Sequence, residues 1–315
     1  MLFDILLLVA GLALLTWSAD RFIAAAASLV RHWGVSPMLV GVFVLGVGTS
    51  APEIAVSINA SLRGVPDIAL GNALGSNITN IGLVLAICAL VRPLPVLSTA
   101  LRGEFPAVLG VGLLVLAIVW DGQFVRWEGL GLLGLFLLVM GWLAWRSLRG
   151  PADDPLLAEI QAHSEPEMAL RPALLWLLVG LIGLPLSADI FVQGASGIAR
   201  SLGVSELVIG LTIVAFGTSL PELAASLGSA LRGETEMALG NILGSNLFNA
   251  LIVFGVPGAL APGAVDAALL TRDVPLMLAL TVFLYAVSIW RKQVGRVSGA
   301  LMLSSFAGYL FILAT

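Results

Sequence analysis

Two stretches of this chain are copies of one another. Val35 to Ala86 reads VSPMLVGVFVLGVGTSAPEIAVSINASLRGVPDIALGNALGSNITNIGLVLA, and Val204 to Gly255 reads VSELVIGLTIVAFGTSLPELAASLGSALRGETEMALGNILGSNLFNALIVFG. They align without a gap at an offset of 169 (204 − 35), with 23 of 52 positions identical. A repeat of this length fixes the architecture before any local reading does. The matched residues are mostly Gly, Thr, Ser, Pro, Glu and Asn, while the aliphatics between them drift among Val, Ile, Leu and Met. Apolar filler varies and polar residues are held, which points to a duplicated polar site inside a hydrophobic setting.

That setting is a bilayer. Hydrophobic residues make up 59% of the chain and charged residues 11%, with a mean hydropathy of +1.05, far outside the range of soluble globular domains. Apolar stretches near the ~20 residues needed to span a membrane recur about ten times. Helices are the expected spanning element, because a barrel shows short alternating strands instead. The opening MLFDILLLVAGLALLTWSAD lacks a basic leader and a small-residue cleavage site and is read as the first spanning helix. Cys88 is the only cysteine, so neither an intrachain disulfide nor a cysteine metal cluster is expected. No basic run suggests nucleic acid, and nothing suggests a cofactor or an obligate protein partner. His32 and His163 fall in or near loops, where solvation is the expected role.

Spanning helices are predicted at 2–30, 37–61, 67–91, 104–120 and 127–148, and again at 172–200, 206–231, 237–260, 273–290 and 297–314. The polar segment 149–171 between them reads as a cytoplasmic linker, leaving repeats at 1–148 and 172–315. Ser18-Ala19-Asp20 and Ser187-Ala188-Asp189 keep the same offset, so each repeat holds five helices with its motif on the second and third. Five is odd, so the second repeat must enter the membrane in the opposite sense. The expected fold is an all-α membrane protein of ten transmembrane helices in two inverted five-helix repeats, with broken helices in the core. Of the 15 Lys and Arg residues, an outside N-terminus places ten on the inner side. Arg63, Arg126, Arg200 and Arg272 then fall outside, and Arg21 lies within the first helix. This bias predicts both termini outside the cytoplasm.

The motif carries the chemistry. Gly48-Thr49-Ser50-Ala51-Pro52-Glu53 and Gly217-Thr218-Ser219-Leu220-Pro221-Glu222 each fall in the middle of a spanning segment. Proline there lacks an N–H and displaces the carbonyl four residues back, freeing those of Gly48 and Gly217. Broken helices at membrane depth are tolerated where they line a cavity, and their backbone can coordinate cations. Thr49 and Ser50 precede Glu53 by four and three residues, so hydroxyls and carboxylate share a helical face. On the next helix of each repeat, Asn72, Ser76 and Asn80 recur at a four-residue spacing, as do Asn241, Ser245 and Asn249. Gly71 and Gly75 form a small-residue seam for a close helix neighbour. Two carboxylates with hydroxyl and amide oxygens suit a hard cation such as Ca2+ or Na+; soft metals would want thiolate or imidazole. Asn72, Asn77, Asn241 and Asn246 serve equally well as helix bridges, and Asp20 and Asp189, near helix ends, are read as structural.

With these residues in view, the chain closely resembles the sodium/calcium exchanger family of Ca2+:cation antiporters. The paired GTS-x-PE and GN-x-LGSN segments look like that family's two alpha repeats, and the likeness covers essentially the whole chain. The resemblance implies exchange of Ca2+ for a monovalent cation by alternating access. It implies Glu53 and Glu222 as central Ca2+ ligands shared with Na+. Thr49, Ser50, Ser76, Thr218, Ser219 and Ser245 would complete the ion sites, and Asn80 with Asn249 would line the middle position. It also implies that the first helices of the two halves slide across the remaining core, and that the home is a prokaryotic inner membrane.

Some sodium-coupled relatives carry Asp where this chain has Asn249, which leaves two central carboxylates here. With both ionised the site holds −2, so one Ca2+ or two H+ neutralise it, whereas three Na+ leave +1. Coupling to H+ or K+ in place of Na+ is the alternative reading, since a carboxyl group removed from water can hold a proton. An intramembrane enzyme would need a nucleophile and base or a His/Asp metal cluster at membrane depth. A carrier for an organic solute would want apolar or aromatic walls, and a channel a continuous pore.

Overall fold

The computed structural model describes residues 1–149, 168–203 and 215–314. Within them, eight helices are long and apolar enough to cross a membrane, and a ninth candidate span is bent at a break. In the first repeat, α1 is Leu2–Trp33, α2 Pro37–Thr49, α3 Ala51–Leu62, α4 Pro66–Val91, α5 Ser98–Val119 and α6 Arg126–Arg149. In the second, α7 is Leu170–Ser201, α8 Ala215–Thr218, α9 Leu220–Arg232, α10 Thr235–Leu260, α11 Leu269–Arg291 and α12 Arg296–Ala314. Each second-repeat element stands at the offset of its first-repeat counterpart. The predicted span 206–231 is seen from 215 onward, and 204–214 lie outside the described residues. So does most of the expected linker, 150–167.

Local chemistry explains the boundaries. Gly64 and Gly233, equivalent positions after α3 and α9, take φ of 73° and 90°, a left-handed conformation that glycine adopts without strain. Pro66 occupies the first position of α4 after Val65, where a missing N–H costs nothing.

The inverted relation of the repeats is visible at both ends. The strand β1 (Leu94–Pro95), after α4, pairs antiparallel with β4 (Gln293–Val294), between α11 and α12. The strand β2 (Gln123–Phe124), between α5 and α6, pairs antiparallel with β3 (Gly263–Ala264), after α10. Each ribbon therefore joins the post-motif loop of one repeat to the last loop of the other. Helices α1 and α7 lie along one another with the same twofold relation. A Cβ on Gly11 would meet the backbone of Phe191, and one on Gly180, its equivalent, would meet the ring of Phe22.

The remaining helices surround α4 and α10, whose residues fill the largest apolar cluster. In the second repeat the glycine seam is real. A Cβ on Gly240 would stand 2.6 Å from the Met38 carbonyl oxygen, and one on Gly244 would stand 2.7 Å from Val42 backbone atoms. Backbone contact of this kind, and not side-chain interdigitation, holds α2 against α10. No described atom lies within 4 Å of a Cβ at Gly71 or Gly75. The segment equivalent to the start of α2 falls in 204–214, outside the described residues.

Gly244→Leu is expected to destabilise the fold by about 1–3 kcal/mol through overpacking. Gly131→Leu, on an open face of α6, is expected to be neutral. Thermal unfolding of the two variants in detergent checks the contrast.

Candidate functional site

The two spans that carry the motif break at equivalent serines. Ser50 separates α2 from α3 with φ −83° and ψ 1°, and Ser219 separates α8 from α9 with φ −90° and ψ 3°. The axes of α2 and α3 differ by 44°. Each new helix starts with its proline in the first turn, Pro52 or Pro221, so the missing N–H falls where no helical bond is required. The glutamate follows at once, on the first turn of the new helix.

Facing these breaks, α4 and α10 each change winding at the predicted asparagine. A π-helical stretch runs over Asn80–Leu85 in α4 and over Asn249–Val253 in α10. Such widened turns interrupt the regular bonding ladder and are frequent at functional sites.

Nine of the ten predicted site residues are buried: Thr49, Ser50, Glu53, Ser76, Asn80, Ser219, Glu222, Ser245 and Asn249. Thr218 is half-buried. The hydrogen bonds run between the repeats. Ser50 donates to Glu222 Oε1 at 3.4 Å, and the Thr49 hydroxyl lies 3.2 Å from Asn241 Oδ1 and 3.3 Å from the Ser245 hydroxyl. Asn80 Nδ2 donates to Asn246 Oδ1 at 3.1 Å. The hydroxyls of one motif therefore serve the carboxylate and amides of the other.

Asn72 and Asn241 take the bridging role. Asn72 Nδ2 lies 3.4 Å from the Glu53 carbonyl oxygen, and Asn241 Nδ2 lies 3.5 Å from that of Glu222. Each pins the backbone of the glutamate beside it. Asn77 points away, with Nδ2 3.6 Å from the Met277 sulfur.

Two serines complete the arrangement that the sequence reading missed. Ser57 and Ser226, one turn beyond the glutamates, are fully buried. Ser57 donates to the Val253 carbonyl at 2.6 Å, at the end of the π-helical stretch in α10, and Ser226 accepts from Asn241 Nδ2 at 2.8 Å. The signal was present: both follow a glutamate by four residues, and they match at the offset of 169.

What remains after these bonds is mostly oxygen, with the amide nitrogens of Asn246 and Asn249 also unpartnered among the described residues. Both carboxylate oxygens of Glu53, Oε2 of Glu222, Oδ1 of Asn80 and Oδ1 of Asn249 are buried without a hydrogen-bond donor among the described residues. Two buried anions with unfilled acceptor positions are costly unless a positive charge joins them. The donor set is entirely oxygen, and no group of three or more His, Cys, Asp or Glu is found among the described residues. This chemistry suits a hard cation bound between two carboxylates and neutral oxygens.

Comparison with known proteins agrees with the geometry. The family described as sodium/calcium exchanger protein matches residues 3–145 and 172–315, one block on each side of the linker. A putative antiporter, CaxA, of Alkalimonas amylolytica is 45% identical over 99% of this chain and 99% of its own. Inner membrane protein YrbG of Escherichia coli K12 is 41% identical over 99% and 97%. Sodium/calcium exchanger MaX1 of Methanosarcina acetivorans is 28% identical over 98% of each. Among solved structures, the sodium-calcium exchanger NCX_Mj soaked with zero Na+ and Ca2+ superposes with a TM-score of 0.85 at 32% identity. That match covers 100% of this chain and 99% of that one.

The two bridging asparagines are not equal in this site. Asn72→Ala removes one partly buried hydrogen bond and is expected to cost about 1 kcal/mol; Asn241→Ala removes buried bonds to Ser226, Thr49 and the Glu222 carbonyl and is expected to cost about 3 kcal/mol. Unfolding in detergent measures both.

Proposed function

The chain belongs to the sodium/calcium exchanger family, and from that premise we propose that it exchanges Ca2+ for Na+ across a prokaryotic inner membrane by alternating access. The observation that carries this reading is the pair of buried glutamates on opposite repeats, with oxygens left unpartnered while neighbouring hydroxyls and amides are bonded across the repeats. In this reading Glu53 and Glu222 ligate Ca2+ directly. Thr49, Ser50, Thr218, Ser219, Ser76 and Ser245 supply hydroxyl or backbone oxygens, and Asn80 and Asn249 supply amide oxygens. No catalytic group or resident cofactor has a part in it. The excess of Lys and Arg on one set of loops supports both termini lying outside the cytoplasm.

Exchange follows from charge balance. With both carboxylates ionised, one Ca2+ brings the site to neutrality, and so do two protons. Net charge at membrane depth is expensive. The site therefore favours being filled while it passes between faces, and the ions that fill it compete for the same two carboxylates. Three Na+ against one Ca2+ would move one net positive charge per cycle, so sodium coupling in that ratio is electrogenic. Proton coupling is the second reading, and it is favoured by the same two carboxylates, because Asn249 contributes no third negative charge.

Calcium-45 uptake into Na+-loaded proteoliposomes separates these readings, with K+-loaded and pH-jumped vesicles as controls. Sodium-dependent uptake that rises with an inside-positive potential is expected for wild type, because three Na+ leaving for each Ca2+ entering carry one net positive charge outward. Glu53→Gln and Glu222→Gln are each expected to reduce it at least about 100-fold, the scale for losing an ionic ligand worth about 3 kcal/mol. Uptake driven only by a proton gradient would keep the site and replace the coupling ion. Normal transport by both variants would remove the glutamates from the site.

A further inference from the structure

The two repeats match in sequence but differ in how they pack, and the difference centres on four charged residues outside the ion site. Asp20 of α1 forms an ion pair with Arg232, the last residue of α9. At the offset of 169 their counterparts are Asp189 on α7 and Arg63 directly after α3. Both partners are thus duplicated, yet among the described residues only the first pair is made. Asp189 accepts a 2.7 Å hydrogen bond from Gln193 on its own helix, and Arg63 makes no ion pair with any described residue.

The surrounding faces follow the same division. Helix α1 packs along α9; Asp20 and Arg232 belong to the walls of an apolar groove of about 340 Å3 between them, with Leu15, Ile23, Leu223 and Leu227. The equivalent face of α3 is bare. Ala51, Ala55, Ile58 and Asn59 are exposed, whereas their counterparts Leu220, Ala224, Leu227 and Gly228 are buried or half-buried. Because α1 and α7 are locked together at Gly11 against Phe191 and Gly180 against Phe22, they act as one unit. Seating α1 on α9 withdraws α7 from α3.

We propose that Asp20–Arg232 and Asp189–Arg63 are mutually exclusive latches, each closing one face of the transporter while the other is open. The structure has the α9 latch made and the α3 latch apart. The proposal rests on the alternating-access reading above and assigns that motion its positioning residues, none of which touches the transported ion. An exposed ion pair is a weak interaction, which suits a latch that must release in every cycle. A second pair, Arg31 with Glu234 at 3.3 Å, adds to the α9 side. The residue corresponding to Glu234 is Val65, so this reinforcement has no counterpart and tilts the resting state toward closure there.

Cross-linking tests the geometry without requiring transport. Cys88 is the only native cysteine and is buried, so introduced pairs report alone. In liposomes, Asp20→Cys with Arg232→Cys and Asp189→Cys with Arg63→Cys are both expected to be bridged by a short bifunctional thiol reagent that spans the reach of an Arg–Asp pair, which a direct disulfide does not. In a chain carrying all four cysteines, either cross-link is expected to exclude the other. Failure of the Asp189/Arg63 pair to cross-link, or formation of both cross-links in one chain, would overturn the proposal. If wild type moved no Ca2+, the exchange reading would fail while the cross-links still decided the latch.

Point variants provide the second readout. Arg232→Gln and Arg63→Gln are expected to shift half-saturating Ca2+ on the two faces in opposite directions by about threefold, the effect an exposed pair supports. The charge swap Asp20→Arg with Arg232→Asp is expected to restore the wild-type ratio. A purely structural role would shift both faces alike, and that result would also overturn the latch.

Discussion

Two carboxylates held out of water at the centre of the protein are the constraint on which the rest depends. A pair of buried negative charges is unfavourable without a compensating cation or protons, so the surrounding structure must present oxygen and retain access for a positive charge. The serine breaks at Ser50 and Ser219 place each glutamate on a fresh helical turn, and the prolines sit where their missing N–H is harmless. Asn72 and Asn241 fix the glutamate backbones from the adjacent helix. Ser50 and Thr49 reach across to the second repeat, so neither repeat has a finished site alone. Duplication and inversion together supply the second half.

The same constraint accounts for the packing. Polar residues at the centre displace the bulky side chains that would otherwise separate α2 from α10. Glycine lets the backbones themselves meet, at Gly240 against Met38 and Gly244 against Val42. The π-helical stretches beginning at Asn80 and Asn249 open the helical ladder beside the breaks. Ser57 returns a hydrogen bond to one of the carbonyls there.

Much of this was legible in the sequence because the site is duplicated. Matched Gly, Thr, Ser, Pro, Glu and Asn residues at a constant offset located the broken helices, and an odd helix number per repeat required inversion, which the β1–β4 and β2–β3 ribbons display. The helix breaks were readable from Pro52 and Pro221. Ser57 and Ser226 lie one turn beyond the motif's acidic end, where only their four-residue spacing and shared offset mark them. The π-helical stretches had no such mark: a widened turn has no composition of its own. The unequal packing of α1 on α9 and α7 on α3 was beyond a sequence reading in principle. Asp20, Arg232, Asp189 and Arg63 are written symmetrically, and a symmetric sequence does not state which of two equivalent arrangements a given conformation adopts.

The central claim is that one divalent cation is shared by two carboxylates from opposite repeats. Equilibrium Ca2+ binding to the purified protein, measured for wild type, Glu53→Gln, Glu222→Gln and the double variant, tests it most directly. A shared site predicts one tightly bound Ca2+ per chain and non-additive losses, with either single variant nearly as impaired as the double. Additive losses, two independent binding events each lost in one variant, or wild-type affinity in both singles would contradict it.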